Sequence, residues 1–250
     1  MCAFDITTAT FVLELDGMGE ARVERDLPFG DGLSFDLYRP PGDDLRGAVI
    51  LATGYVDAKL AAMLGKRPRD IALASSWGRL VAASGLIGVV YGAAQPIDDL
   101  GALVAHLRRH GEGHGVDGTR LGLWAASGNA PTALAHLGAA RAAVFCSPYM
   151  PDRQGDAHVG PARAFGFAVP TTFGALPQVP IYLMRSGADA TPGLTPLLDR
   201  FVTEALAADV PLELVNLPRA PHAFELVDPR PQSRAALRRA FGFLAEHLGR

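Results

Sequence analysis

Short apolar runs alternate with longer amphipathic stretches over most of the chain. "GAVILAT" (47–53), "GLIGVVY" (85–91), "TRLGLW" (119–124), "RAAVFCS" (141–147), "VPIYLMRS" (179–186) and "VPLELVNL" (210–217) are nearly continuous in apolar residues. That is the signature of strands covered on both faces. Between them lie "RDIALASSWGRLVAAS" (69–84), "PIDDLGALVAHLRRH" (96–110), a helical pattern over about 127–137, and "TPLLDRFVTEALAA" (195–208). "SRAALRRAFGFLAEHL" (233–248) closes the series. Their apolar positions recur at helical spacing, and Pro96 stands where a first helical residue would. Strand–helix alternation predicts a parallel sheet with helices on both faces, because parallel neighbours need crossovers.

The first forty residues follow a different rule. "TFVLEL" (10–15), "ARVERDLPF" (21–29) and "LSFDLYRP" (33–40) alternate apolar and polar side chains and are separated by Gly-rich turns. This predicts three antiparallel strands at an edge of the sheet. One irregular stretch, 148–178, is longer than a usual crossover. It would overhang the C-terminal ends of the strands, where open α/β sheets bind ligands.

Composition narrows the function classes. The chain has 250 residues, 49% hydrophobic and 20% charged, with a net charge of −3, enough for one large domain over 1–250. Basic and acidic residues are interleaved, and the densest basic cluster, "GKRPRD" (65–70), carries three positive charges, so no nucleic-acid footprint is present. No apolar segment approaches the ~20 residues of a membrane span. The N-terminus lacks the basic region of a signal peptide. Cys2 and Cys146 make neither a disulfide framework nor a metal-ligand spacing. A cytoplasmic protein is expected, with no metal and no cofactor. His106 and His110 have the i, i+4 spacing of a metal pair but no H-E-x-x-H carboxylate, and a solvated helix face is the expected reading.

Candidate chemistry begins at "WAASGNAP" (124–131), where a strand turns into a helix within a residue or two. Small residues surround Ser127, as a G-x-S-x-G nucleophile elbow requires, although Ala125 and Asn129 replace the glycines. Asn129 is bulkier than the pattern expects; its side chain suits turn conformations near φ > 0, and it either tunes the turn or touches the site. Alone, Ser127 reads equally as a helix N-cap. A nucleophilic serine needs a base, and the base a third group to orient it. Asp189 follows the strand "VPIYLMRS" and His222 follows "VPLELVNL", so Ser127, Asp189 and His222 each occupy a post-strand loop in the order Ser…acid…His. Asp189 reads otherwise as an N-cap or Asx-turn residue, and His222 as a surface histidine. Oxyanion donors are expected from the backbone N–H groups of Gly128 and Tyr55, with Gly54 letting the backbone approach a substrate.

At "ILATGY", "WAASGNAP", "SGADATPG" and "APHAFEL" the chain resembles an α/β-hydrolase, and more narrowly the dienelactone-hydrolase-like group. The resemblance spans roughly 33–248. It implies the α/β-hydrolase fold: a mostly parallel eight-stranded sheet, helices on both faces and an antiparallel N-terminal edge. Dienelactone hydrolases proper carry a cysteine nucleophile where this chain has Ser127. The resemblance therefore implies a serine hydrolase of small carboxylic esters or lactones acting through an acyl-enzyme. A thioesterase or acyltransferase with the same three residues is the alternative, and a non-catalytic ligand-binding protein on the same fold a further one. The partner is a small ester, lactone or thioester, not nucleic acid or membrane, with a homodimer left open. The 148–178 insertion is the only lid candidate. Tyr149, Phe165, Phe167 and Phe173 are expected either to line a pocket beneath it or to pack it onto the body.

Overall fold

A computed structural model describes residues 5–30, 32–151, 166–170 and 173–249. Eight strands form one sheet in the order β1-β2-β4-β3-β5-β6-β7-β8. They are β1 (Arg22–Gly30), β2 (Leu33–Arg39), β3 (Arg46–Leu51), β4 (Ile87–Tyr91), β5 (Val116–Ala126), β6 (Ala142–Cys146), β7 (Ile181–Ser186) and β8 (Leu212–Leu217). The β1–β2 and β2–β4 pairs are antiparallel and every other pair is parallel. The helices are α1 (Asp57–Leu64), α2 (Ala72–Ala83), α3 (Pro96–His110), α4 (Ala130–Ala135), α5 (Leu194–Ala207), α6 (Phe224–Val227) and α7 (Pro231–Leu248).

The continuous apolar runs of the inner strands have the predicted cause, but "VPLELVNL" does not fit it: β8 is the edge strand, only Leu217 of Leu212–Leu217 is buried, and Leu214 is 44% exposed. All five residues of β4 and of β6 are buried, and successive side chains enter opposite cores because a strand has a period of two. On one face Leu121, Leu123 and Ala125 of β5 join Ala143 and Phe145 of β6 and Ile181 and Leu183 of β7, beneath Leu103 and Leu107 of α3 and Phe201 of α5. On the other, Trp124, Val144, Tyr182 and Met184 meet Trp77 and Leu80 of α2 and Phe241 and Leu244 of α7. Trp124 joins the two helices on that face: its ring stacks on Phe241 at 4.9 Å and meets Trp77 edge-on at 6.4 Å.

The N-terminal edge departs from expectation in one place. Residues 10–15 are not a strand. Their alternation is real, since Phe11 and Leu13 are buried while Thr10 and Glu14 are not, but the segment crosses the α2–α7 face as an extended coil. Val12 N–H donates to the carbonyl of Glu225 on α6, a helical residue that offers no ladder. Period-two burial requires only an extended chain over a core; a strand needs a partner as well. The β1–β2 hairpin is tied to the body by a buried ion pair, with Arg69 Nη1 donating to Asp36 Oδ1 at 2.8 Å and Nη2 to Asp26 and Ser34. Helix α1 is not visible in the sequence because none of its residues is buried, and without a buried face there is no apolar stripe to read.

No helix among the described residues is long and apolar enough to cross a membrane. Cys2 and, within the 148–178 insertion, residues 152–165 and 171–172, Phe165 among them, lie outside the described residues.

Candidate active site

Ser127 follows the last residue of β5, and its φ of 53° lies in the left-handed region that non-glycine residues rarely adopt. Such a residue costs roughly 1–3 kcal/mol and persists only where its surroundings impose it. Here Ala126 is still extended, at φ −119° and ψ 147°, while residues from Ser127 onward turn into a 3₁₀ segment and then α4. The reversal takes place in one residue. The N-cap reading of Ser127 fails, since neither helix start carries a side-chain cap. Its Oγ instead lies 2.9 Å from His222 Nε2.

His222 Nδ1 lies 2.6 Å from Asp189 Oδ2. The Asp189 side chain has no exposed surface, whereas that of His222 is 30% exposed. Burial pushes the Asp189 carboxyl up, but the bonds from His222 and Thr191 outweigh it and hold the group below the usual carboxylate range. An ionised Asp189 accepts from Nδ1–H, which leaves Nε2 unprotonated and able to accept the Ser127 hydroxyl. Asp189 also fulfils its bland reading, with a division of labour between its oxygens. Oδ1 accepts Thr191 N–H at 2.9 Å as an Asx turn, while Oδ2 faces the imidazole. It is not an N-cap: α5 begins later, after Gly193.

The loops that carry these groups are fastened to each other. Gly187 N–H donates to the Leu217 carbonyl and Ala188 N–H to that of Ala220, which ties the acid loop to the histidine loop. Tyr149 N–H donates to the Ser127 carbonyl at 3.0 Å, and the Tyr149 ring meets His222 edge-on at 6.1 Å. Three side chains from loops 33 to 95 residues apart in sequence thus form one hydrogen-bonded chain at the C-terminal edge of the sheet.

The loop that carries Gly54 and Tyr55 lies against the elbow at Gly128 and Asn129. A Cβ on Gly54 would lie 3.1 Å from the Gly128 carbonyl oxygen, a tight contact, and one on Gly128 would overlap the Phe167 ring. Gly128 therefore has no room for a side chain unless Phe167 moves. Phe167 packs against Tyr55 with ring centroids 4.1 Å apart and planes tilted by 48°, and Ala168 N–H donates to the Gly54 carbonyl at 2.7 Å. Tyr55 N–H is held by the Thr53 hydroxyl at 3.3 Å, the long end of the hydrogen-bond range.

Of the two roles expected for Asn129, tuning the turn is not the one its backbone shows. Its backbone is right-handed (φ −78°, ψ −15°), because Ser127 alone takes the left-handed step. Its side chain instead reaches across to the neighbouring loop, where Oδ1 accepts Gly54 N–H at 2.8 Å.

Of the aromatic residues singled out for a pocket, Tyr149 and Phe167 lie at this site, and Phe165 is outside the described residues. Phe173 does not lie there. It lines a separate cleft of about 270 Å³ with Leu134, Pro151, Leu176 and Phe201, and no member of the Ser127–His222–Asp189 chain borders it. Of the crossover from β6 to β7, the described residues Phe173, Gly174, Ala175, Leu176 and Pro177 line this cleft beside Leu134 and Ala135 of α4 and Phe201 of α5.

Cys146 ends β6 beneath the site and is buried and free of any disulfide. Its thiol donates to Glu225 Oε2 at 3.1 Å, and burial pushes its pKa well up, so it holds no thiolate. Glu225 is 4% exposed and is not recognisable from sequence: a glutamate in a loop-flanking helix carries no sign of burial. His106 is not on a solvated face as expected. Its Nε2 is buried with no partner among the described residues, and its ring packs against Phe35 at 5.8 Å, because α3 lies closer to the β1–β2 hairpin than a helix period can reveal. Among the described residues no three His, Cys, Asp or Glu side chains are grouped to hold a metal ion.

No protein-family model and no curated protein matches the sequence. Solved structures do match. A thermostable esterase from Pseudomonas putida superposes with a TM-score of 0.67 at 17% identity over 95% of this chain and 86% of that one. MGS-M1, an α/β-hydrolase enzyme from a Medee basin deep-sea metagenome library, gives 0.67 at 12% identity over 90% and 97%. A fungal esterase from Rhizomucor miehei gives 0.65 at 15% identity over 94% and 85%. With the strand order, the antiparallel edge and helices on both faces, these likenesses establish that the chain has the α/β-hydrolase fold.

Proposed function

We propose that this protein is a serine hydrolase of small carboxylic esters, lactones included, and a dienelactone-hydrolase-like enzyme in which serine replaces cysteine. One observation carries the reading: the continuous hydrogen-bonded chain from Ser127 Oγ through His222 to a buried, ionised Asp189. A fully buried carboxylate is costly unless it is paired, and its pairing here favours the imidazole tautomer that a general base requires.

In this mechanism Ser127 Oγ attacks the ester carbonyl carbon while His222 Nε2 takes the hydroxyl proton, and Asp189 stabilises the imidazolium that results. Negative charge develops on the carbonyl oxygen. The N–H groups of Gly128 and Tyr55 hold it, the substrate oxygen displacing the weakly held Thr53 hydroxyl from Tyr55. His222 returns its proton to the leaving alkoxide, and the acyl group remains on Ser127; from a lactone, the freed alcohol stays attached to that acyl group. Water, activated by His222, then releases the acid and restores Ser127. The reading takes 1–250 as one catalytic domain in a cytoplasmic setting, which the single eight-stranded sheet and the disulfide-free Cys146 support. The esterase likenesses support ester substrates.

The test is labelling with a small phosphonate ester followed by peptide mapping, together with turnover of p-nitrophenyl acetate. The adduct is expected on Ser127, and turnover is expected to vanish in Ser127→Ala. Modification at another residue, or undiminished turnover in Ser127→Ala, rejects the proposal.

A further inference from the structure

The hydrogen bond between Asn129 and Gly54 has no counterpart in an elbow of the G-x-S-x-G kind, whose last position offers no side chain. We infer that Asn129 is a positioning residue of the oxyanion site, fixing the loop that carries Tyr55 N–H to the elbow that carries Gly128 N–H; the inference rests on the hydrolase reading given above.

The two donors expected to hold an oxyanion come from elements far apart in sequence, the loop after β3 and the first turn after β5. Their spacing must be held to fractions of an ångström for both to aim at one oxygen atom. Backbone contact alone does not lock it. Gly54 lies close to the Gly128 carbonyl oxygen, where a Cβ would stand 3.1 Å away, a van der Waals contact with no direction of its own. Asn129 supplies a directional link across the gap, Oδ1 to Gly54 N–H at 2.8 Å. The Gly54 carbonyl is engaged on its other side by Ala168 N–H at 2.7 Å. Both polar groups of Gly54 are therefore committed, and the peptide that follows is set between them.

The same bond selects which amide serves the substrate. Gly54 N–H is engaged at an ordinary distance by a neutral amide oxygen that belongs to the elbow. Tyr55 N–H donates to the Thr53 hydroxyl at the longer distance of 3.3 Å. The weaker bond is the one that an incoming carbonyl oxygen displaces, so Asn129 removes Gly54 from competition and leaves Tyr55 as the donor. A neutral acceptor matters here. An aspartate would make the same bond but set a negative charge beside the developing oxyanion.

The experiment compares the unmodified protein with Asn129→Ala and Asn129→Asp in three readouts: kcat and KM for p-nitrophenyl acetate, thermal midpoint, and hydrogen exchange of the Gly54 amide by NMR. Asn129→Ala is expected to speed Gly54 exchange and lower kcat about tenfold to a hundredfold, with KM changed less than about threefold, since misaiming one donor costs somewhat less than deleting it. Asn129→Asp is expected to keep Gly54 protected yet lose kcat, and its deficit relative to the unmodified protein should shrink as pH falls toward the carboxylate range. A purely structural asparagine would be rescued by aspartate at every pH. Unchanged kcat in Asn129→Ala, or full activity in Asn129→Asp at pH 8, overturns the inference while leaving the hydrolase reading intact. An unmodified protein with no turnover and no Ser127 adduct overturns that reading, and this inference with it.

Discussion

His222 Nδ1 stands 2.6 Å from Asp189 Oδ2, and the carboxylate has no exposed surface while the imidazole is partly exposed. The proton between them is therefore fixed on Nδ1, and Nε2 is left to accept from Ser127. Asp189→Asn keeps the shape but presents an amide N–H to the ring, which favours the opposite tautomer. We expect kcat for p-nitrophenyl acetate to fall by about 10³–10⁴ with far-UV circular dichroism unchanged, the scale of loss seen when a triad acid becomes an amide. A fall smaller than tenfold would remove Asp189 from the mechanism.

The Phe167 ring lies against Gly128 and packs at a tilt on Tyr55, with centroids 4.1 Å apart. A ring so close to the expected donors limits the acyl group that can be seated over Ser127. In Phe167→Ala, kcat/KM for p-nitrophenyl hexanoate relative to the acetate is expected to rise by about tenfold or more, because each accommodated methylene contributes appreciably to discrimination. An unchanged ratio of the two substrates would assign Phe167 to packing alone.

These two residues mark the boundary of what is legible in the sequence. Strand and helix order is legible because apolar runs in "VVY", "AVF" and "IYLM" can exist only where both faces are covered, as the fully buried β4 and β6 confirm. Ser127, Asp189 and His222 can be picked out because each lies just past a recognisable strand, so the fold itself brings them to one edge. Asn129 cannot be interpreted that way. Its partner, Gly54, is 75 residues away, and a hydrogen bond between a side chain and a distant backbone N–H leaves no periodic trace. Phe173 goes astray for a related reason: aromatic content in an irregular stretch says nothing about the direction in which the chain returns. Residues 10–15 carry the right burial period and the wrong inference, since pairing depends on a neighbour the pattern does not contain.

His106 links the fold to pH. Its Nε2 is buried without a partner among the described residues, and burial pushes its pKa down, helped by the nearby His110, His114 and Arg109. The folded protein therefore resists protonating this ring more than the unfolded chain does. The stability tied to its neutral form is fully present above the unfolded pKa near 6.5 and is lost as pH falls through the lower folded value. His106→Leu keeps an apolar group against Phe29 and Phe35 and removes the titration. Thermal midpoints at pH 7.5, 6 and 5 should show the variant gaining on the unmodified protein at each step downward. A constant difference across the three would show that His106 does not titrate in this range.

Glu225 works in the opposite direction. It is 4% exposed, its Oε2 accepts the Cys146 thiol at 3.1 Å, and burial raises its pKa above the ordinary glutamate value. The negative charge of Asp189 pushes the same way, whereas His222 and the Cys146 bond oppose it. For an acid with a raised folded pKa, stability is greatest below the unfolded value of about 4.3 and declines as pH rises toward the folded one, because the unfolded chain releases the proton first. Glutamine has the shape of the protonated acid and nothing to ionise. Glu225→Gln is therefore expected to raise the thermal midpoint at pH 8, by about 2–4 °C for each kcal/mol removed, and to leave it nearly unchanged at pH 4. The comparison isolates the ionisation, since any loss of packing or of the thiol bond would appear equally at both pH values. A variant less stable at pH 8 than at pH 4, relative to the unmodified protein, would mean that the ionised carboxylate is the form the fold prefers beneath His222.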